Sequence, residues 1–437
     1  MPEAETARIR AVTVDGAGIA AIPGKTVFVA GALEGEHVRF LRRKRRRNYD
    51  EAQLLEVLTA SPKRVEPRCA VFGICGGCTL QHVGDAEQRA IKQQALQDAL
   101  VRIGQLSPSR WLAPIHDSPW NYRRRARLAA KYVAGKGRVL IGFRERHAPY
   151  LTDMHRCEVL AAPVDALIDP LSALIGELSI RSRLPQIEVA HADNATSLVF
   201  RVLDPPSDTD LERLAAFGAE HDLRIYLQAG GPASITLLHP EGPLPPLRYS
   251  LPAYDIVIEF EPTDFVQVNA AVNRRMVETT IELLKPTADD RILDLYCGIG
   301  NFSLPLAKRC ARVTGIDLDQ SLAARARANA ALNAISNVEF RSVDLDRIDG
   351  TERWLTRNWT GLLLDPPRSG AQAVVRHIAR IDPSRIVYVS CHPSTLARDA
   401  SALSAAGYRL ENAGIIDMFP QTGHVESIAL LVKNDKK

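Results

Sequence analysis

From about residue 265 to the C-terminus, short apolar segments alternate with helical ones, and this rhythm constrains the fold more than any other feature of the chain. The strand-like segments are Arg291–Leu295, Arg312–Ile316, Val338–Arg341, Gly361–Leu364 and Ile386–Val389, and the clearest helices are Arg274–Leu284 and Ser321–Asn333. Strands that are apolar along their whole length belong in a sheet that helices cover on both faces. The sequence therefore predicts an α/β domain with a doubly wound, mostly parallel sheet.

The first sixty residues have a different pattern, of short strands and turns. Arg8–Val14 alternates between apolar and polar residues and is followed by a turn at Asp15–Gly18. Lys25–Ala30, Glu36–Leu41 and Glu51–Leu58 are further strand-like segments. About five short strands in about fifty residues are typical of an OB-like β-barrel, a frequent nucleic-acid-binding module.

Basic residues cluster within this N-terminal segment. Six consecutive cations stand at Arg42–Arg47, although the whole chain carries a net charge of only +4. Such a run attracts polyanions, because binding releases counterions from nucleic acid. By itself the run fits a solvated basic loop equally well.

Prolines and changes of pattern predict three domains. Pro62–Pro67 ends the barrel segment, and a region of mixed strands and short helices extends from there to about residue 260. We predict a β-barrel over residues 1–62, a mixed α+β central domain over 63–262 and the α/β domain over 263–437. The spacing of apolar residues, Ala90 among them, also predicts a helix over Asp85–Ile103.

The composition argues against a membrane protein and against long disorder. Hydrophobic residues make up 46% of the chain and charged residues 24%, which is ordinary for a globular protein. No apolar run approaches the ~20 residues of a membrane span. Met1–Arg10 lacks the apolar stretch of a signal peptide. We therefore expect a cytoplasmic protein with no membrane partner; a monomer is a separate expectation.

The segment Asp294–Phe302 has the features of a ligand-binding loop. It follows a strand and precedes a helix, and Gly298 and Gly300 allow the backbone to approach a ligand at the carboxyl edge of the sheet. Asp317 ends the next strand nineteen residues after Gly298, a spacing at which an acid commonly binds ribose hydroxyls. The pattern G-x-G-N-F resembles the first motif of Rossmann-like methyltransferases, which bind S-adenosylmethionine. An ordinary strand–helix turn is the alternative.

Three further segments stand at the ends of later elements: Asp365–Arg368, Ser390–Pro393 and Gly423–Ser427. The carboxyl ends of strands in a doubly wound sheet line one crevice, so these segments should converge on the cofactor. Beside a methyl donor, the Cys391 thiolate can add to C6 of uracil and make C5 nucleophilic, and Glu426 can then remove the C5 proton. This chemistry predicts a lowered pKa at Cys391 and a target base that is flipped out or single-stranded. A small packing residue is the alternative for Cys391.

Other classes of protein fit the same residues less well. Exocyclic amino-methyltransferases follow a similar Asp-Pro-Pro motif with an aromatic residue, where this chain has Arg368. DNA cytosine methyltransferases place a proline before their cysteine, where this chain has Ser390. An RNA-binding ribosome-assembly factor stays open, because intact Cys391 and Glu426 do not exclude an added chaperone role.

Five motifs in order across about 170 residues carry a family resemblance: Asp264–Asn269, Asp294–Phe302, Asp365–Arg368, Ser390–Asp399 and Phe419–Ser427. Together they resemble the RNA uracil-C5-methyltransferases, which implies Cys391 as the nucleophile and Glu426 as the proton acceptor. The resemblance implies cofactor contacts from Gln267, Tyr296, Asn301, Asp317, Asp344 and Asp365. Tyr296 stands where the family has Phe and Asp317 where it has Glu, so the ring and the charge are kept. No sharp motif surrounds Asp344.

Seven cysteines, an odd number, argue against a disulfide framework in a cytoplasmic chain. Cys69, Cys75 and Cys78 lie on one glycine-rich loop, and Cys157 is the best fourth ligand. Four thiols suit either zinc or an iron–sulfur cluster, and the spacing alone leaves both open. The C-x3-C-x2-C spacing of radical S-adenosylmethionine enzymes does not occur in this loop.

The resemblance extends to the cysteine loop and the barrel. The cysteines resemble the [4Fe–4S] site of the family members that act on ribosomal RNA, and the barrel resembles a TRAM domain, an RNA-binding module. Similarity over nearly the whole chain is to the bacterial 23S rRNA uracil-C5-methyltransferases. It implies S-adenosylmethionine as the methyl donor, a [4Fe–4S] cluster and a uridine of 23S rRNA as substrate. The cations of Asn121–Arg127 would then suit RNA phosphates. A dual-site 23S rRNA enzyme and a tRNA enzyme are the alternatives.

Overall fold

The computed structural model describes residues 3–22, 24–356 and 358–434. Its N-terminal part is a closed five-stranded β-barrel, as the sequence predicts. The strands are β1 (Glu5–Val12), β2 (Ala17–Ile22), β3 (Lys25–Ala30), β4 (His37–Arg45) and β5 (Tyr49–Thr59). They follow the order β1-β2-β3-β5-β4, and β4 closes the barrel by pairing with β1. Alternate residues such as Val27 and Val29 are fully buried, because successive side chains of a strand face opposite sides.

A single helix, α1 (Asp85–Ala99), follows the cysteine loop and continues into one π-helical turn at Leu100–Gly104. The helix predicted over this segment is therefore confirmed. Its buried residues are Gln88, Lys92, Leu96 and Ala99. Ala90, which the apolar spacing places on the buried face, is exposed instead. Because an unpaired polar group is unfavourable in the protein interior, buried Gln88 and Lys92 require hydrogen-bond or ion-pair partners.

The central region is built on a six-stranded mixed sheet in the order β12-β11-β10-β9-β7-β8. Its elements, after the short strand β6 (Arg110–Trp111), are β7 (Arg125–Val133), β8 (Arg138–Gly142), α2 (Ile168–Glu177), β9 (Gln186–His191), β10 (Thr196–Arg201), α3 (Asp208–Glu220), β11 (Leu223–Gln228) and β12 (Ile235–His239). α3 begins with a capping box, in which Ser207 and Asp210 each accept a backbone N–H of the other. This helix crosses over between β10 and β11, which pair in parallel.

A two-stranded hairpin, β13 (Leu247–Leu251) and β14 (Ile256–Phe260), lies between the central sheet and the C-terminal part of the chain. On one side, Arg248 N–H donates to Asn194 Oδ1 at 3.0 Å. On the other side, Glu259 N–H donates to Asn329 Oδ1 at 2.8 Å. The hairpin therefore hydrogen-bonds to both neighbours.

The C-terminal part is the predicted doubly wound α/β domain. Its elements are α4 (Ala270–Leu284), β15 (Arg291–Leu295), α5 (Ser303–Ala307), β16 (Arg312–Asp317), α6 (Gln320–Leu332), β17 (Val338–Ser342), β18 (Gly361–Leu364), α7 (Gln372–Arg376), α8 (Ile378–Ile381), β19 (Arg385–Ser390), α9 (Pro393–Ala405), β20 (Tyr408–Ile416) and β21 (Glu426–Lys433). The five strands predicted from the sequence agree with β15 to β19 within one residue. The sheet has the order β17-β16-β15-β18-β19-β21-β20-β6.

The direction of the strands determines where functional side chains can meet. β17, β16, β15, β18 and β19 are parallel, whereas β21 runs antiparallel to both β19 and β20. The carboxyl ends of the five parallel strands therefore share one edge of the sheet with the start of β21. The region predicted as the central domain also contributes a strand to this sheet, because β6 pairs with β20 at its edge. In the described part of the chain, no helix is long and apolar enough to cross a membrane.

Candidate active site

Cys391 and Glu426 lie at the same edge of the sheet, on neighbouring strands. Cys391 follows the last residue of β19, and Glu426 is the first residue of β21. The register pairs Ser390 with Ser427, so Cys391 and Glu426 lie side by side. Asp365 follows the adjacent strand β18 and contributes to the electrostatic environment of both. The structure thus brings together the two side chains that the sequence nominates for covalent catalysis.

The carboxyl group of Glu426 has a higher pKa than that of an exposed glutamate, so its protonated form is favoured. Burial and the nearby Asp365 carboxyl raise its pKa to about 8, while Lys92 and Arg368 act in the opposite direction. Burial also raises the pKa of Asp365 to about 7. A glutamate with a pKa close to neutral can exchange a proton with a substrate at physiological pH.

Cys391 departs from the sequence-based expectation in its pKa. The covalent mechanism predicts a lowered pKa, but the pKa of this half-buried thiol is raised. Burial has the largest effect, and the negative charges of Glu426 and Asp365 add to it, whereas Arg368 opposes them. Without RNA the sulfur is therefore held as a thiol, and its proton must leave for the sulfur to become nucleophilic.

The loop after β15 is tied to the acid at the end of β16. Gly298 N–H donates to Asp317 Oδ2 at 2.9 Å, and Asp319 N–H donates to Asp317 Oδ1 at 3.1 Å. Gly298 has a φ of +52°, and a Cβ there would project into open space. Below the loop, fully buried Asp294 accepts the Ser303 hydroxyl at 2.5 Å, and burial raises the pKa of Asp294 to about 7.

Tyr296 and Asp344 border the same loop. Tyr296 has a φ of +66°, and its buried hydroxyl has no hydrogen-bond partner in the described part of the structure. Burial raises its pKa, and the acids Asp346, Asp399, Asp317 and Asp344 add to the effect. The backbone before Asp344 is hydrogen-bonded to that of Asp317: the N–H of Val343 donates to the Asp317 carbonyl at 2.9 Å. Its carboxylate is partly engaged with Arg347, 3.3 Å away.

The side chain of Asn301 is held by the protein itself. It forms a reciprocal amide pair with Asn273, with both N–H···O distances at 2.9 Å, and its Oδ1 also accepts the Tyr249 hydroxyl at 2.9 Å. Gln267 lies just before α4 and lines a cavity together with Tyr249 and Asn273. Sequence reasoning did not identify Tyr249 or Asn273, since neither belongs to a recognisable motif.

Sequence reasoning also missed a set of charged residues around Glu426. Lys92 is completely buried, and its Nζ lies 2.7 Å from Asp417 Oδ1. Arg368 Nη2 lies 3.3 Å from His424 Nδ1 at the exposed side of the site. A signal for Lys92 exists in the sequence, because it stands four residues before buried Leu96 on the face of α1.

Cys69, Cys75, Cys78 and Cys157 line one cavity, together with Phe72, Phe143 and Met154. None of these cysteines forms a disulfide. Among the residues that the structure describes, no three His, Cys, Asp or Glu side chains are grouped so that they could hold a metal ion. The four cysteines therefore line one largely apolar cavity.

Half of the cations in the basic run of the barrel are paired with acids of the same barrel. Arg42 binds Glu5 and the buried Asp50, with distances of 2.8 and 2.6 Å. Lys44 and Arg46 lie within 3.6 Å of Glu51. The cations of this run that form no ion pair within the described residues are Arg43, Arg45 and Arg47, and Arg43 donates to Gln53. The free positive charge of this surface is thus smaller than the sequence suggests.

The fold and the loop after β15 define a Rossmann-like methyltransferase, in which a glycine loop and an acid at the end of the next strand face the carboxyl edge of the sheet. Comparisons with known proteins narrow this class. A sequence model of the family "tRNA (Uracil-5-)-methyltransferase" matches residues 248–434. The 23S rRNA (uracil(1939)-C(5))-methyltransferase RlmD of Aromatoleum aromaticum is 47% identical, over 98% of this chain and 99% of the relative. The protein of the same name from Methylococcus capsulatus is 46% identical, over 97% and 96%.

A solved structure agrees with these sequence relatives. The tRNA (uracil-54, C5)-methyltransferase of Pyrococcus abyssi, in complex with S-adenosyl-L-homocysteine, matches with a TM-score of 0.74 and 25% identity. The match covers 98% of this chain and 100% of that chain. The chain therefore belongs to the family of S-adenosylmethionine-dependent RNA uracil-C5-methyltransferases.

Proposed function

We propose that the protein methylates C5 of a uridine in 23S rRNA, with Cys391 as the nucleophile and Glu426 as the base. The observation that carries this proposal is the placement of Cys391 beside Glu426 at the carboxyl edge of the sheet. The full-length similarity to enzymes named for uracil 1939 of 23S rRNA supports the choice of RNA. A tRNA uridine is the second candidate, because the matching solved structure is a tRNA enzyme.

The residues at the edge of the sheet fit S-adenosylmethionine. Asp317 and Asp365 provide acids, Gly298 leaves open space beside the loop, and the buried Tyr296 hydroxyl still lacks a partner. We assign Gln267, Tyr296, Asn301, Asp317, Asp344 and Asp365 to this site. When bound, the cofactor supplies an electrophilic methyl group. Asn301 would present the edge of its amide that Asn273 and Tyr249 leave free.

The roles of Cys391 and Glu426 follow from the chemistry of uracil. The Cys391 thiol first loses its proton to solvent. Its sulfur then forms a bond to C6, and the displaced electron pair makes C5 nucleophilic. After C5 is methylated, Glu426 accepts the C5 proton, the C5=C6 double bond forms again and the sulfur leaves C6. Because C5 is covered in a stacked helix, the target uridine must be flipped out or single-stranded. We propose that one copy of the chain is sufficient for this reaction.

Two variants test these roles. Cys391→Ala should abolish methylation of 23S rRNA while S-adenosylmethionine still binds, because the thiol takes no part in holding the cofactor. Glu426→Gln should still form the covalent RNA adduct but should not release it, so the adduct should persist on a denaturing gel. Turnover by Cys391→Ala, or no trapped adduct with Glu426→Gln, would contradict the assignment.

The choice of RNA is tested separately from the mechanism. Mapping of 5-methyluridine in 23S rRNA and in tRNA from a strain that lacks the protein should show the loss of one 23S rRNA modification. Unchanged rRNA with a lost tRNA modification would favour the second candidate. If both RNAs keep their modifications and the protein still binds ribosomal RNA, a role in ribosome assembly replaces the enzymatic one.

We also propose that Cys69, Cys75, Cys78 and Cys157 hold a [4Fe–4S] cluster. The support is their position around one cavity lined by apolar side chains. Four thiolates suit either a zinc ion or an iron–sulfur cluster, and the resemblance of this loop to the [4Fe–4S] site of the family members that act on ribosomal RNA favours the cluster. Protein purified without oxygen should contain stoichiometric iron and sulfide and absorb visible light, whereas stoichiometric zinc would contradict the proposal.

The predicted division of the chain at residues 62 and 262 stays a proposal. The barrel strands end at Thr59, which supports the first boundary. The second boundary is less distinct, because the hairpin at 247–260 hydrogen-bonds to both sides. Limited proteolysis should cut near residue 62 and leave the rest of the chain intact.

A further inference from the structure

Lys92 is a buried cation that the proposed reaction does not explain. It lies on α1, outside the segment that the family model matches, and its side chain is completely buried. Its Nζ donates to Asp417 Oδ1 at 2.7 Å and to the carbonyl of Phe419 at 2.9 Å. A buried ammonium group requires such partners, because transfer of a charge out of water is strongly unfavourable.

Both partners of Lys92 belong to the loop that leads into the proposed base. Residues 417–425 connect the end of β20 with Glu426, the first residue of β21. One turn earlier on α1, Gln88 Nε2 donates to Gln421 Oε1 of this loop at 2.9 Å, and the backbone N–H of Gln421 donates to Gln88 Oε1 at 3.0 Å. Helix α1 therefore holds the loop at three points.

The charged groups that act on Glu426 are Asp365 and Arg368, which follow β18, and Lys92 on α1. The Cys391 thiol after β19 also lies near Glu426. His424, two residues earlier on the loop, lies near Arg368 and Lys92. Asp365 disfavours the charged form of Glu426, whereas Lys92 and Arg368 favour it. Arg368 is exposed, so water and salt screen its charge, while the charge of buried Lys92 is screened much less.

Lys92 itself faces Asp417, Glu426 and Arg89. Burial favours its neutral form, and the carboxyl groups of Asp417 and Glu426 favour the ammonium form. The short contact with Asp417 therefore keeps a positive charge next to the base without leaving that charge unpaired.

We propose that Lys92 is a positioning residue for the general base: it anchors the loop that carries Glu426, and its positive charge favours the carboxylate form that must accept the C5 proton. The inference rests on the proposed function. Lys92 neither gains nor loses an atom in the reaction. The proton moves from C5 to a Glu426 oxygen, the C5–H electron pair restores the C5=C6 bond, and the Cys391 sulfur leaves with the electrons of its bond to C6.

The test uses Lys92→Met, which removes the charge and keeps an unbranched side chain. The full-length variant is mixed with transcribed 23S rRNA and S-adenosylmethionine, and breakdown of the protein–RNA adduct is followed after jumps to a series of pH values. We expect the midpoint of the pH profile to shift by about one unit to higher pH, which lowers the rate below pH 8 about tenfold. The adduct should therefore accumulate.

Gln88→Met is the matched control. It loosens the same loop from the same helix but removes no charge, so it should slow the reaction without shifting the pH profile. If Lys92→Met does not fold, the double variant Lys92→Met/Asp417→Asn removes the ion pair as a whole and leaves no unpaired buried charge. A smaller alkaline shift is expected for it, because the loss of the Asp417 charge partly offsets the loss of the Lys92 charge.

The possible outcomes separate the two proposals. A wild-type pH profile with no accumulation of adduct in a folded Lys92 variant would overturn the role of Lys92 while the proposed function stands. A shift of equal size in Gln88→Met would reduce Lys92 to a purely structural anchor. If the wild-type protein forms no adduct and no 5-methyluridine, the proposed function itself fails.

Discussion

At the scale of single residues, the protonation state of Glu426 determines at which pH the last step of the reaction, removal of the C5 proton, can occur. Burial and Asp365 raise its pKa to about 8, so the carboxyl group is mostly protonated at neutral pH. A base must be deprotonated to accept the C5 proton. The last step of the cycle is therefore more sensitive to pH than it would be with an exposed glutamate.

The rate of adduct breakdown should consequently rise about tenfold per pH unit below pH 8 and level off above it. A pH jump separates this step from the addition of Cys391, whose raised pKa gives the addition a pH dependence of its own. The measurement is quantification of the adduct on denaturing gels after jumps from pH 6. Glu426→Gln should show no such rise, and a flat profile in the wild-type protein would exclude Glu426 as the base.

At the scale of elements, strand β4 shows that a basic sequence is not the same as a basic surface. The acids Glu5, Asp50 and Glu51 neutralise several cations of this strand. The side chains free to meet RNA phosphates lie at the end of the strand and in the turn that follows, where Arg45 and Arg47 are exposed.

The double variant Arg45→Gln/Arg47→Gln should therefore weaken RNA binding and lower the slope of affinity against salt concentration by about 1 to 2. The physical reason is that RNA binding releases fewer counterions when the protein contacts fewer phosphates. Filter binding at several salt concentrations measures the slope. Arg42→Gln is the control within the same strand: it should mainly lower the melting temperature, because it breaks the contacts with Glu5 and Asp50. If the wild-type protein, the double variant and Arg42→Gln all have the same salt slope, the barrel is not part of the RNA interface.

At the scale of the whole molecule, the barrel touches the loop that carries the proposed base. A Cβ at Gly423 would lie 2.8 Å from the Val14 carbonyl and 2.9 Å from Asp15 Cα. A Cβ at Gly16 would lie 2.6 Å from the Thr79 carbonyl. The turn between β1 and β2 therefore packs against both the cysteine loop and the active-site loop.

Gly423→Ala should push the barrel and the loop apart. We expect the free energy of unfolding to fall by about 1–3 kcal/mol, as for other overpacked sites, and methylation to slow. Urea denaturation and initial rates measure the two effects. The matched control is Gly176→Ala in α2, where a Cβ meets open space and should stabilise the helix by about 0.5–1 kcal/mol. Wild-type activity of a stable Gly423→Ala protein would show that the loop does not depend on the barrel.

The sequence by itself determined the features that depend on local pattern. Apolar runs of a few residues predicted β15 and β18 to the residue, because a strand buried on both faces must be apolar throughout. The parallel topology then placed Cys391 at the carboxyl edge of the sheet, together with Asp317 and Asp365, because each of these residues ends or follows a parallel strand of that sheet. The family motifs supplied the remaining candidates at this edge.

Only the tertiary structure decided which charges are buried and which residues partner them. Gln88 meets Gln421, and Lys92 meets Asp417, across more than 300 residues of chain. The pKa of Cys391 is raised rather than lowered, because burial and two neighbouring carboxyl groups outweigh Arg368. No local pattern contains this information: the periodicity of a segment shows which face is apolar, whereas the energy of a charge depends on every group that the fold brings within a few ångströms.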